Sequence, residues 1–175
     1  QGRGSARVFL GALVSGQVLR IALRLTFDFG VVGHEVGVLV RVTDRDGAFE
    51  AASPALVPAT VAWEYADNPA NDAQPRDVEV DRIVARLFAE RAKQEAVKLN
   101  REGRYDDARR AISSVGHRVR GYAGRDRELN ALLGELAEEQ VQYAAPMPEM
   151  ARKAAYFESS NLSRMRTPDG KSRKV

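Results

Sequence analysis

The segment WEYADNPANDAQPRD, Trp63 to Asp77, gathers three Asp, two Asn and one Glu within fifteen residues, the oxygen donors that a hard divalent cation takes. The spacing does not serve one. In a calcium loop begun at Asp67, Pro69 would occupy the third position and Val78 the twelfth, where a bidentate Glu belongs. Asp44, Asp46 and Gly47 imitate the middle of such a loop, yet Val42 and Ser53 stand at its two ends, so a β-turn is expected there. The Trp63–Asp77 stretch reads instead as a connector punctuated by Asn68-Pro69 and Gln74-Pro75.

Other chemistry is as sparse. Gly170-Lys171-Ser172 matches the end of a phosphate-binding loop, but Met165 holds the place of its first Gly, and too little chain follows to form the phosphate-binding helix. His34 falls in a glycine-flanked turn. His117 stands near Ser113 and Ser114 at helical spacing without a carboxylate to orient it. The chain has no cysteine, which removes thiolate nucleophiles, thiolate metal sites and disulfides. No catalytic, cofactor-binding or metal-binding residue is therefore assigned, and the expected class is a non-enzymatic protein.

The elements that would position any site change character once along the chain. Leu19, Ile21, Leu23, Leu25 and Phe27 alternate with Arg20, Arg24, Thr26 and Asp28, the period of a half-buried strand. Val36, Val38, Val40 and Val42 repeat the pattern, as do Val61, Trp63 and Tyr65, and a shorter strand is expected over Val8 to Leu13. Turn signals separate them at Ser15-Gly16, Gly30 to Gly33, Asp44 to Gly47 and Ser53-Pro54. This register points Leu19 through Phe27 and Trp63 into one core.

From Asp77 the period becomes helical. Asp77 is placed to cap a long helix with Val80, Val84, Phe88, Ala92, Ala96 and Leu99 on one face, joined by Ile83 and Leu87, and Gly103 is expected to end it with a positive φ. A second helix carries Tyr105, Ala108, Ile112, Val115, Val119 and Tyr122. A third runs from Asp126 through Leu129, Leu132, Leu133 and Leu136 toward Tyr143; Pro146 and Pro148 close it, and a short fourth helix covers Met150 to Phe157. The fold class is thus α+β: an antiparallel β-sheet or partial β-sandwich over residues 1–66, a connector over 67–76, an α-helical hairpin bundle of three to four helices over 77–160, and a basic tail over 161–175.

At 175 residues and 44% hydrophobic, the chain can bury a sizeable core. Its apolar runs are far too short for a membrane span. The opening QGRGSAR lacks the charged and apolar halves of a signal peptide and looks like an expression remnant, so a cytoplasmic setting is the default. Residues 1–76 carry 7 Arg against 8 acidic residues, whereas Asn161 to Val175 carries Arg164, Arg166, Lys171, Arg173 and Lys174 against Asp169 alone. These five cations could touch nucleic acid or an acidic partner, or solubilise the end; without interleaved aromatic residues base stacking is not expected, and a basic-tailed nucleic-acid binder stands as a further alternative.

Leu99, Gly103, Tyr105 and Ala108, in AVKLNREGRYDDARRAI, follow the second half of a tetratricopeptide-type hairpin: Gly turns the chain, Tyr fills the crevice and Ala lets the helices approach. No second copy occurs at the 34-residue period of that repeat, so a plain αα-hairpin is favoured, with a partner groove beside Tyr105 and Ala108 as the alternative.

Read together, V-A-W-E-Y-A-D-N, N-D-A-Q-P-R-D-V-E-V-D-R, the helix A-R-L-F-A-E-R-A-K-Q-E-A, the hairpin L-N-R-E-G-R-Y-D-D-A and the closing Y-F-E-S-S-N-L-S-R-M-R-T-P-D-G resemble the region C-terminal to the von Willebrand factor A domain in bacterial proteins. The resemblance implies a β-sandwich-plus-helices accessory module used in protein–protein contacts, either with its own von Willebrand factor A domain or with an AAA+ ATPase-type partner. The D-x-S-x-S metal-adhesion motif of that family does not occur in this chain, so no metal residue carries over. Four or five strands cannot close on themselves, and the open sheet edge is expected to be covered by the chain's own helices and tail or by a second copy in a homodimer.

Overall fold

The structure is a computed structural model that describes residues 4–13, 17–47, 58–167 and 169–171. It shows an α+β chain in which a two-stranded antiparallel sheet precedes a region of four substantial helices. It divides into two compact units, Arg24–Arg76 and Gln1–Leu23 with Asp77–Val175.

In the first unit, β1 (Glu35–Val40) pairs antiparallel with β2 (Ala59–Glu64). The register sets Val36 opposite Trp63 and Val38 opposite Val61, which brings the valines of one strand and the aromatic of the other to one face, as their alternation requires. Phe27 lies on that side, its ring centroid 5.2 Å from Trp63 at a tilted 47°. Tyr65 anchors the entry to the hairpin. Its hydroxyl donates to the Asp28 carbonyl at 2.6 Å, its amide to His34 O at 2.9 Å, and its carbonyl accepts from Gly33 at 2.8 Å. A Cβ at Gly30 would overlap the Tyr65 ring, so the chain can pass there only as glycine.

Two expectations are corrected. Leu19–Phe27 forms no strand, and Ile21, Leu23, Leu25 and Phe27 are exposed rather than inward-facing; Val8 to Leu13 forms none either. Alternation specifies a face only when a neighbouring strand supplies hydrogen bonds and a second layer supplies cover, and β1 and β2 are the only strands among the described residues. The sheet consequently does not become a sandwich. Trp63, expected in a core, is 41% exposed. The turn signals at Ser15-Gly16 and Ser53-Pro54 lie outside the described residues, as do Arg173 and Lys174.

The connector holds a short helix, α1 (Asn68–Ala73), that the proline stops did not suggest; Pro69 sits in its first turn, where a missing N–H costs nothing, and Asp67 accepts from Ala70 N at 2.8 Å. Helix α2 (Val78–Arg101) starts at the expected cap, with Asp77 accepting from Val80 N at 3.1 Å. Its end is a Schellman motif: Gly103, at φ 77°, donates to Asn100 O at 3.1 Å, and Arg104 N donates to Leu99 O at 2.9 Å.

Helices α3 (Tyr105–Ala123), α4 (Arg127–Tyr143) and α5 (Glu149–Ser163) follow, with α2 packed against all three and α3 against α4. The buried face of α2 keeps Ala92, Ala96 and Leu99 of the expected stripe but is turned in its first half, where Ala85 and Ala89 take the core. Ala85, Ala89, Ala92 and Ala96 run along the core, while Val80 is exposed and Phe88 only flanks it. Small side chains let neighbouring helices come close, and Ile112, Val119, Leu129, Leu132 and Leu136 complete the core from α3 and α4. No helix among the described residues is long and apolar enough to cross a membrane.

Helix α5 runs three residues into the basic segment. Met165 adopts φ 54° after it, Arg166 N donates to Asn161 O at 2.8 Å, and Gly170, which donates to Thr167 O at 2.8 Å, lies beside Phe157. Gln17, from the N-terminal segment of the same unit, donates through Nε2 to Arg164 O at 3.3 Å.

Candidate functional site

Two carboxylates of the Trp63–Asp77 segment, and Asp44 before it, accept from backbone amides. Asp67 and Asp77 cap α1 and α2, and Asp44 accepts from the Asp46 amide at 3.1 Å, the hydrogen bond of an Asx turn. Among the described residues no three of His, Cys, Asp and Glu gather as a metal-holding group. On α3, Ser113 Oγ donates to Arg110 O at 3.2 Å and Ser114 Oγ to Ala111 O at 2.9 Å, so both hydroxyls are turned back onto the helix, while His117 points from an exposed position.

Of the residues singled out for partner binding, Tyr105 and Ala108 lie at the start of α3, while Arg164, Arg166 and Lys171 lie at or beyond the end of α5; Arg173 and Lys174 are outside the described residues. Ala108 is completely buried between helices and Tyr105 half-buried at the start of α3, which leaves no open groove at Ala108. Arg164 is exposed at the end of α5. Arg166 is half-buried, and Lys171 pairs with Asp169 at 3.1 Å.

Two features escaped the sequence reading. The first is a ladder of charges from α2 to α4. Arg82 Nε and Nη2 both donate to Asp126 Oδ2, at 3.0 and 2.7 Å, Arg82 Nη1 meets Glu128 at 2.9 Å, Arg86 meets Glu135 at 2.6 Å, and Lys93 meets Glu139 at 2.8 Å. Cations and acids ascend in step because α2 and α4, separated by the two reversals on either side of α3, run in the same direction. Arg82 holds the Asp126 carboxyl below its usual range, with help from the Leu129 amide that Asp126 caps.

At the buried end of this ladder Glu90 is 1% exposed, and neither carboxylate oxygen has a hydrogen-bond partner; the Lys93 ammonium stands 3.4 Å away but closer to Glu139. Burial pushes the Glu90 carboxyl above the usual carboxylate range, only partly opposed by the charge of Lys93. Lys93 remains a cation: burial opposes its charge, yet Glu139 and Glu90 outweigh that. Tyr143, raised by burial and by the neighbouring Glu139, stays a neutral phenol. The signal was present as two charged residues, Glu90 and Lys93, interrupting the alanine stripe.

The second feature is a groove of ≈ 660 Å³ between α2 and α5. Val97 forms its floor, with Met150, Ala154, Tyr156 and Phe157 along α5, and Lys98, Arg101 and Lys153 stand at its rim. Met150, Ala154 and Phe157 recur at helical spacing along α5 and are exposed. Comparison with family models, with curated proteins and with solved structures returns no match for this chain.

Proposed function

We propose that the chain is a non-catalytic protein-interaction module of a von Willebrand factor A type protein, and that Leu19–Phe27 takes its strand partners from another part of that protein or from a protein bound to it. One observation carries the reading. Ile21, Leu23, Leu25 and Phe27 keep the strict alternation of a half-buried strand while standing in solvent without a ladder partner among the described residues. Such a segment presents both unpaired main-chain groups and an apolar face, the two things that strand addition satisfies together. The exposed side of the β1–β2 hairpin, with Val61 and Trp63, offers a second surface of the same kind, and a two-stranded hairpin gains stability from added strands or a packed layer.

The family part of the reading is tested by the residues encoded before Gln1. A D-x-S-x-S motif in a von Willebrand factor A domain there supports it; an upstream region of another family overturns it. The interaction part is tested by co-elution of the chain with that domain on size exclusion. Leu23→Lys should abolish co-elution while leaving helical content unchanged, and undiminished co-elution of the variant rejects the assigned segment.

A further inference from the structure

We infer that the groove between α2 and α5 is a docking site for an acidic amphipathic helix of a partner protein. The inference concerns the helical unit and stands or falls separately from the strand segment. Its first support is the exposed stripe of α5. Met150 is 77% and Phe157 54% exposed, although the helix packs against α2 through the same turns. Large apolar side chains gathered beside a concave floor, rather than scattered singly, mark a surface that excludes water when a ligand lies in it. A trough between two helices matches the width of a third, whose residues at i, i+3 or i+4, and i+7 would meet Val97, Ala154 and Phe157.

Charge decides the kind of helix. The rim carries Lys98, Arg101 and Lys153. The carboxylate beside it, Glu149, is already bound by Arg101 at 3.1 Å and by Arg152 at 2.9 Å. Neither the Lys98 nor the Lys153 ammonium forms a hydrogen bond or a close ion pair among the described residues; Lys153 meets Glu149 only through the longer-range field that helps hold that carboxyl low, so the rim of the apolar trough keeps an excess of positive charge. A neutral or basic ligand would bury apolar area but leave the two lysines repelling or unmatched; an acidic one pairs with both and gains in association rate as well. A membrane would need a flat or convex amphipathic face, whereas this one is a trough whose end near Phe157 is bounded by the turn at Gly170.

The test is selection from a displayed library of helical peptides of about 16 residues, long enough for roughly four turns. The intact chain and its Lys98→Glu/Lys153→Glu variant serve as baits, with phosphatidylglycerol vesicles as a parallel ligand. The expected result is enrichment of peptides with Glu or Asp flanking an apolar i, i+4, i+7 stripe, and affinity reduced roughly tenfold or more by the double variant, whose melting temperature stays unchanged. An Ala154→Arg variant, which fills the trough, should weaken the same peptides. The inference is overturned by an absence of binders, by enrichment of neutral or basic peptides, by acidic peptides that bind both baits equally, or by vesicle binding in place of peptide binding.

Discussion

Asn100 Nδ2 lies 2.7 Å from the carbonyl oxygen of Ala145, a bond from the last turn of α2 to the loop between α4 and α5. The same amide donates to Tyr143 O at 3.0 Å, and its Oδ1 accepts from Met147 N at 3.3 Å. One side chain, 1% exposed, thereby satisfies three main-chain groups at a sharp reversal rich in proline and fixes where α5 begins. Asn100→Leu keeps much of the volume but strands these groups, and should cost about 2–4 kcal/mol in urea unfolding. A loss below about 1 kcal/mol would show that the loop holds itself.

Gly103 closes α2 with a positive φ, and no other atom crowds its Cβ position. The strain of a substitution is therefore purely conformational. Gly103→Val should destabilise the α2–α3 hairpin by about 1–2 kcal/mol, read as a lowered thermal midpoint. Gly103→Asn, which tolerates this conformation, should recover part of the loss.

Glu90 makes the stability of the helical unit fall as pH rises. Its carboxyl is raised in the folded state above the unfolded value of about 4.3, so the folded protein holds this proton more tightly than the unfolded chain does. The resulting stabilisation is complete below about pH 4 and disappears as pH rises through the folded pKa. Glu90→Gln removes that dependence and leaves the Lys93–Glu139 pair intact; it should unfold at higher urea concentration than the parent above neutrality, by about 1 kcal/mol or more. Parallel stability–pH curves for parent and variant would contradict this assignment.

The bounds of α2 and the start of α4 were legible because those helices carry their own punctuation. Asp77, Gly103 and Asp126 act on backbone groups within four residues, and those local bonds form wherever the helix lies. Which face of α2 is buried was less legible, since that depends on how closely α3 and α4 approach, and the alanines rather than Val80 and Phe88 meet them. The strands show the opposite limit. The alternation of Leu19–Phe27 is as regular as that of Val36–Val42, but a strand needs a neighbour, and among the described residues only the second segment has one. The α2–α4 charge ladder and the α2–α5 groove join residues more than forty positions apart, beyond the reach of any local period.

The most direct measurement of the central claim is site-resolved amide hydrogen exchange over Leu19–Phe27, in the chain alone and joined to a von Willebrand factor A domain. The account predicts near-unprotected amides in the chain alone, beside slow exchange in the core of α2 at Ala89, and a gain of about 100-fold or more in protection over this segment in the joined protein. Protection in the isolated chain equal to that of α2, or no gain in the joined protein, would contradict it.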